Sequence, residues 1–502
     1  MKIAFVEPPG SALSLEGDLL GDAVTNYPKY SQLQLMANMP DNVEADLIDL
    51  KTLPPVKSEG YREIEYERRK VECLRRGTSL KDASERLSEY DLIGITANFT
   101  SERNVVVDII RAIKRKNPNL PVILGGHDAT VCPFYYLQRG ADICVLGDGE
   151  TIARNLSLGL DKIDLKNTKG IATLDSKGHR YKAPREDLTK IGFPSADLLK
   201  KYRFNEIPDG PLPAGVGDSI AAIETSRGCD EACSFCDSTF VIGKYKMIPS
   251  ETLELKIDAL SEADTKTLIF VDDNLLYRSL PKYGGKDGRD EIIKFFNKLR
   301  DQGFAWSFYN GLQISLLYRD GVLDSELIDS LYGNRRNEET FEGCFRAYLP
   351  LEKFWPDEML KLPKLLPLEK EMQIVEAISK RQVPHLNLGF IIGNPRETEE
   401  SLQYSVERAK EFGELINQAS EGHSTPRVYP WCSVPIPGTP DARNYLPHIR
   451  YDSENFPELY INYISVMESM DFSPYEITSR GKQIDDELNN DNKTRHEYNN
   501  EI

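Results

Sequence analysis

Apolar residues recur along this chain at two alternating spacings, and together they predict two successive α/β arrays. In the first 150 residues, short apolar runs read as strands: Lys2 to Val6, Val43 to Leu50, Asp91 to Ala97, Pro121 to Gly126 and Ala141 to Leu146. Between the third and fourth, Val105, Val106, Ile109, Ile110 and Ile113 follow helical spacing across Ser101 to Lys116, and Pro118 stops that helix. Strands alternating with helices predict a doubly wound parallel sheet, whose ligands bind beyond the strands' C-terminal ends. Tyr61 to Glu89 is highly charged and reads as a helical insertion.

The alternation lapses from 151 to 215, a polar connector with a small hairpin expected around Gly170 to Tyr181. It resumes with six strand candidates: Ser219 to Glu224, Thr267 to Val271, Ala305 to Asn310, Gly343 to Leu349, His385 to Ile392 and Arg427 to Val434. Helical stretches separate them, among them Asp290 to Arg300, Leu323 to Leu331, Leu368 to Lys380 and Thr398 to Phe412. Six strand–helix units from 216 to 440 predict an incomplete parallel barrel with its chemistry at the C-terminal rim. Residues 441–502 form a mixed segment, and the Asn-, Asp- and Glu-rich run from Asp485 to Ile502 is expected to be disordered.

Composition narrows the function. A formal charge of -18 lacks the basic footprint of nucleic-acid binding, so no nucleic-acid partner is expected. No apolar run reaches the roughly 18 residues of a membrane span, and MKIAFVEPPG does not read as a signal peptide, so a cytoplasmic protein without a membrane partner is expected. In that compartment the eight cysteines are not expected to form a disulfide framework. Cys73, Cys132, Cys144, Cys344 and Cys432 are scattered and read as small core residues.

The other three crowd together in Thr225-Ser226-Arg227-Gly228-Cys229-Asp230-Glu231-Ala232-Cys233-Ser234-Phe235-Cys236, directly after the first barrel strand. Three thiolates at Cys-x3-Cys-x2-Cys spacing hold one iron–sulfur cube and leave its fourth iron without a protein ligand. Structural zinc is the alternative, but it wants four ligands and no neighbouring His or fourth Cys supplies one.

This loop resembles the signature of the radical S-adenosylmethionine enzymes. The resemblance implies a 4Fe-4S cluster on Cys229, Cys233 and Cys236 that binds and cleaves S-adenosylmethionine. It implies that Phe235 lies against the adenine, and that Asp272, Asp273 and Asn274, ending the second barrel strand, hold the methionyl amine. Gly389-Phe390-Ile391-Ile392-Gly393 is similar to the family's fifth-strand motif, whose backbone, including Gly389 and Ile391, lines the adenine site. Leu349-Pro350-Leu351-Glu352 stands where many members carry Gly-x-Glu-Ser against the ribose; glycine and serine are missing here, and Glu352 remains as the candidate. Pro435-Ile436-Pro437-Gly438-Thr439-Pro440 resembles a segment after the sixth strand in one branch of the family.

That branch carries an N-terminal cobalamin-binding domain, and its motifs are matched in order. They are Pro8-Pro9-Gly10, Gly94-Ile95-Thr96-Ala97, Gly125-Gly126-His127-Asp128-Ala129-Thr130 and Gly147-Asp148-Gly149-Glu150. The resemblance therefore implies a Rossmann-like cobalamin domain over 1–150 with Pro9, Thr96, Gly125, Gly126, His127, Gly147, Gly149 and Glu150 at the corrinoid. No Asp-x-His-x-x-Gly pattern is present, so His127 is expected at the nucleotide tail rather than on cobalt. The expected function is methylation of an unactivated carbon in a small-molecule or peptide substrate, with an external flavodoxin- or ferredoxin-like electron donor. The alternatives are a non-methylating cyclisation or rearrangement with the same cofactors, a transfer-RNA methylthiotransferase, and a non-catalytic cluster or cobalamin sensor. The methylthiotransferase is disfavoured by the missing N-terminal cysteine trio and the acidic C-terminus. No catalytic side chain is assigned, and the sequence does not name the substrate.

Overall fold

A computed structural model describes residues 1–21, 26–176, 182–207, 210–319, 321–354 and 366–489. The chain forms two compact units. The first comprises Met1–Leu198 with 240–242 and 434–466; the second comprises Leu199–Thr239, Gly243–Ser433 and the segment from Met467. Part of the expected C-terminal segment, 441–466, thus belongs to the first unit.

The first unit contains β1 (Lys2–Glu7), β2 (Gly10–Leu15), β3 (Asp18–Gly21), β4 (Glu44–Asp49), β5 (Val56–Tyr66) and β6 (Arg69–Thr78). These are followed by β7 (Leu92–Thr96), β8 (Val122–Gly125), β9 (Ile143–Val145) and β10 (Ile171–Ala172). One sheet runs β4-β1-β7-β8-β9, all parallel, with β10 antiparallel at its edge. Counting only the parallel strands, the order is 2-1-3-4-5, so the direction of winding reverses between β1 and β7. Ala4, Val6, Ile93, Ile95, Val122 and Leu124 form its core with Val106, Ile109, Ile110 and Ile113 of the helix Arg103–Lys116. That helix ends at Asn117, where the backbone turns extended, and its last turn carries Lys114, Arg115 and Lys116, cations favoured at a C-terminus.

The charged stretch Tyr61 to Glu89 is not a helical insertion. Most of it is the hairpin β5–β6, part of an antiparallel sheet ordered β3-β2-β6-β5; only Leu80–Leu87 is helical. Ile64 and Tyr66 on one strand and Val71 and Cys73 on the other are buried at every second position, while the intervening residues are charged or exposed. That is the two-residue period of a half-buried strand, hidden by the charge content. Glu67 and Arg68 turn the hairpin with positive φ at both positions (46° and 67°), as a type I′ turn requires. Of the connector hairpin, Ile171–Ala172 pairs on β9 instead, and 177–181 lie outside the described residues. The segment 434–466 is locked in by Glu458, a fully buried carboxylate accepting from Arg62 Nη1 (3.0 Å) and Asn104 Nδ2 (2.6 Å).

The second unit contains β11 (Ile220–Ile223), β12 (Ser226–Arg227), β13 (Lys246–Met247), β14 (Thr267–Phe270), β15 (Ala305–Phe308), β16 (Tyr318–Arg319) and β17 (Val322–Leu323). These are followed by β18 (Asn334–Arg336), β19 (Phe341–Glu352), β20 (His385–Ile392) and β21 (Thr425–Cys432). Six strands run parallel in the order β11-β14-β15-β19-β20-β21 and do not close, which is the expected partial barrel. Phe270, Phe308 and Trp306 face outward onto Phe296 of the helix Gly288–Asp301. The open edge at β21 is covered by the helix Pro474–Asn489, where Asn489 Oδ1 accepts from Val428 N (2.9 Å) and Nδ2 donates to Val428 O (2.8 Å). An edge strand's exposed peptide groups are thereby satisfied. This helix includes Asp485 to Asn489, the start of the run expected to be disordered; 490–502 lie outside the described residues.

Candidate cluster and cobalamin sites

The loop bearing Cys229, Cys233 and Cys236 leaves the C-terminal end of β11, and its first residues are held by the end of the neighbouring strand β14. Asp272 is buried and accepts from Thr225 N (3.0 Å), Thr225 Oγ1 (2.8 Å) and Ser226 Oγ (2.6 Å). Burial lifts its carboxyl to about 6 against these donors. Asp273 Oδ2 accepts from Gly228 N (2.7 Å). Gly228 has φ +89°, and a Cβ there would sit 2.5 Å from Gly243 O, so glycine is required where β12 meets β13.

The two acids between the first cysteines pin the loop further. Asp230 accepts from Tyr245 N (2.8 Å), the Tyr283 hydroxyl (2.6 Å) and Lys282 Nζ (3.2 Å). Glu231 accepts from the Tyr277 hydroxyl (2.9 Å) and Gln313 Nε2 (3.1 Å).

All three thiols are half-buried, and none is in a disulfide. Burial pushes the Cys229 and Cys236 thiols up, opposed at Cys229 by donors from Glu231, Asn274 and Tyr277 and at Cys236 by Ser238. Among the described residues no three His, Cys, Asp or Glu side chains converge as ligands of a single metal ion. The thiolates of a cube each bind a different iron, so they need not converge on one point. Asn274 Oδ1 is buried with no hydrogen-bond partner among the described residues, an acceptor suited to the ammonium of S-adenosylmethionine.

The remaining predicted contacts are dispersed over the barrel. Phe235 is half-buried within the loop. Glu352 ends β19 with φ +59°, a conformation costly for a residue with a side chain. Phe354 packs on both Phe390 and Phe412, so Phe390 faces the helix Glu399–Ala419 while Gly389 and Ile391 face the opposite side of β20. At Gly389 the close approach is made by Tyr348, whose hydroxyl lies where a Cβ would stand and accepts from Trp431 Nε1 (2.8 Å).

In the first unit, the predicted residues sit at the C-terminal ends of the parallel strands. Thr96 ends β7, Gly125 ends β8, and Gly147 and Gly149 follow β9. Gly126 has φ +109°, and a Cβ there would meet Asn98 Oδ1 at 2.5 Å and Ala97 O at 2.7 Å. Among the described residues, a Cβ on Gly125 would meet nothing within 4 Å, so this strand end borders open space. His127 is half-buried and its backbone N donates to Asn98 Oδ1 (3.3 Å). The following Asp128 is clamped by Arg103 (2.7 and 2.8 Å), the Tyr136 hydroxyl (2.7 Å) and Thr100 Oγ1 (2.7 Å). Thr130 ties the two strand ends, donating to Gly126 O (2.8 Å) and accepting from Gly147 N (3.1 Å). Pro9, after β1, and Glu150, at the start of the helix Glu150–Ser157, are buried.

The radical SAM superfamily matches residues 223–409, which holds the three-cysteine loop and four complete barrel strands, β14, β15, β19 and β20. The B12 binding domain family matches residues 68–157, which holds β7, β8 and β9 and the glycines of the three later strand-end motifs, at 94, 125, 126, 147 and 149. This chain belongs to the radical S-adenosylmethionine enzymes that carry a cobalamin-binding domain. It is 26% identical over 363 residues to an uncharacterized methyltransferase of Pyrococcus horikoshii, covering 69% of this chain and 70% of that protein. It is 24% identical over 400 residues to the cytidylyl-2-hydroxyethylphosphonate methyltransferase of Streptomyces wedmorensis, covering 71% and 69%. Its fold is similar to that of the radical S-adenosylmethionine methyltransferase TsrM from Kitasatospora setae, solved with cobalamin and a [4Fe-4S] cluster bound. There the TM-score is 0.57 at 16% identity, over 95% of this chain and 84% of that one. The family's cofactors are the 4Fe-4S cluster, S-adenosylmethionine and cobalamin.

Sequence reasoning in this family missed the groups that hold the sites in place. At the cluster loop these are Thr225, Ser226, Tyr277 and Gln313. At the winding reversal between β1 and β7, Gln32 Nε2 bridges Glu7 Oε2 (2.7 Å) and Thr96 Oγ1 (2.8 Å). There the buried Lys51 lies 3.4 Å from Glu7 Oε1 and 3.2 Å from Glu102 Oε1. A buried charge needs such partners, and Glu7, the carboxylate that follows the apolar run Ile3 to Val6, was the legible signal.

Proposed function

We propose that this enzyme is a cobalamin-dependent methyltransferase acting on an unactivated carbon of a small-molecule or peptide substrate, in the cytoplasm, with an external low-potential electron donor. The observation that carries the reading is one chain bearing both the clamped three-thiol loop at a barrel rim and the open strand ends of a 2-1-3-4-5 sheet. The names of the Pyrococcus and Streptomyces relatives, both methyltransferases over about two thirds of the chain, favour methylation over ring closure, rearrangement or sensing.

When bound, the cluster would supply the electron that cleaves S-adenosylmethionine, and cobalamin would supply a carrier for the methyl group. The protein's part is placement. Cys229, Cys233 and Cys236 would hold the cluster, and Asp272 and Asp273 keep their loop against the end of β14. Asn274 Oδ1 would accept from the methionyl ammonium. Gly125 leaves room for the corrinoid, while Asp128 and Thr130 keep the Gly125-Gly126-His127 turn in position.

The experiment is a product analysis of anaerobically reconstituted protein given S-adenosylmethionine, hydroxocobalamin, a reductant and an extract of candidate substrates. A methyltransferase of this type releases both 5′-deoxyadenosine and S-adenosylhomocysteine. Release of 5′-deoxyadenosine alone would support a non-methylating radical enzyme, and release of neither a sensor.

A further inference from the structure

The Cys229 sulfur is approached from two elements. Glu231 N donates to Sγ at 3.4 Å, and Asn274 Nδ2 stands at 4.0 Å from the same sulfur. Asn274 follows β14, whereas Cys229 follows β11, so two elements converge on one thiol.

The orientation of the Asn274 amide is dictated from a distance. The Glu231 carboxylate only accepts. Gln313 therefore turns Nε2 toward Glu231 Oε1 (3.1 Å) and Ser315 Oγ (3.1 Å), which leaves its Oε1 toward Asn274. Asn274 must then offer Nδ2, at 2.7 Å from Gln313 Oε1, and the same Nδ2 faces Cys229. The reversed Asn274 amide would set its Oδ1 against both Gln313 Oε1 and the sulfur. Glu231 also accepts the Tyr277 hydroxyl.

Hydrogen bonds to a cluster's sulfurs stabilise its more negative, reduced state and so raise its potential. We infer that Asn274 sets the reduction potential of the cluster on Cys229, with Glu231 and Gln313 as positioning residues that aim its amide. The inference rests on the cluster reading of the three thiols, and iron content tests that reading separately.

The test uses the full chain reconstituted anaerobically with iron and sulfide, without S-adenosylmethionine, in a redox titration followed by electron paramagnetic resonance. Asn274→Leu and Gln313→Leu should keep wild-type iron and shift the midpoint negative. At a fixed ambient potential, Asn274→Leu should hold about tenfold less reduced cluster, equal to about 59 mV for a one-electron couple. Gln313→Leu should give about a threefold drop, about half that shift on the same scale. Gln313 does not touch the sulfur, so its variant decides the matter if the direct variant fails to take up iron. Wild-type midpoints in the iron-replete variants would overturn the inference. Failure of the wild-type chain to hold iron would overturn the cluster reading on which it rests.

Discussion

The Ser226 hydroxyl donates to Asp272 Oδ1 at 2.6 Å, tying the start of the three-cysteine loop to the end of the adjacent strand. With the two bonds from Thr225, this leaves Asp272 wholly engaged by the loop. Sequence resemblance put Asp272 at the methionyl amine together with Asp273 and Asn274; of the three, only Asn274 offers a buried acceptor without a partner. Asp272→Ala should leave Thr225 N and two hydroxyls without their acceptor, lowering stability by about 3 kcal/mol. Iron retained after desalting should fall severalfold, whereas the exposed-face change Glu262→Ala should leave it unchanged. Full iron retention in Asp272→Ala would show that the loop does not depend on this clasp.

Two buried groups give opposite pH slopes. The Asp272 carboxyl is raised by burial to about 6, so between pH 4 and 6 the folded chain holds more protons than the unfolded chain. Its contribution is therefore greatest below about pH 4 and is lost as pH rises through about 6. His385 is lowered to about 4 by burial and then by Arg346. Its contribution is present above its ordinary value of 6.5 and is lost as pH falls toward 4. His385→Asn should flatten the acid-side loss by on the order of 2 kcal/mol in chemical denaturation, and Asp272→Asn should flatten the opposing slope. Unaltered pH profiles in both variants would refute these assignments.

Adjacent glycines separate binding from folding. Gly126→Ala forces a Cβ into the left-handed region and against Asn98 and Ala97, and should cost about 1–3 kcal/mol of stability. Gly125→Ala meets only open space and should melt like the wild type, but it narrows the strand end proposed to face the corrinoid. Equilibrium dialysis should show at least a severalfold loss of cobalamin affinity in Gly125→Ala with an unchanged melting temperature. Unchanged affinity there would place the corrinoid elsewhere.

The legibility of the sequence followed its periodicities. All six barrel strands were visible because each is a short apolar run bounded by turn residues, and the parallel strands of the first sheet were visible for the same reason. The β5–β6 hairpin was not, because Arg62, Glu63, Glu65, Arg69, Lys70 and Glu72 outweigh Ile64, Tyr66, Val71 and Cys73 in composition while leaving their alternation intact. The helix Pro474–Asn489 reaches into a run whose composition reads as disordered; Asn489 is ordered by two hydrogen bonds to Val428, a partner 61 residues away that no local pattern reveals. Candidate ligands were legible from spacing and glycine motifs. Their supports, such as Gln313 and Gln32, were not, since a lone polar residue acquires its role only from long-range packing.

The absence of an Asp-x-His-x-x-Gly pattern carries its own expectation. Cob(II)alamin bound to this chain should show no nitrogen superhyperfine splitting in electron paramagnetic resonance, and His127→Ala should leave the spectrum unchanged. Splitting that disappears in His127→Ala would put that imidazole on cobalt.

The central claim is that Cys229, Cys233 and Cys236 hold a cluster that cleaves S-adenosylmethionine, and it is tested most directly by quantifying 5′-deoxyadenosine from the reconstituted, dithionite-reduced chain. The wild type should release it, and each single Cys→Ala change in the triad should abolish both its release and the brown absorption, while Cys73→Ala and Cys344→Ala retain iron and product. A triad variant that keeps full iron and forms 5′-deoxyadenosine at the wild-type rate would contradict the account.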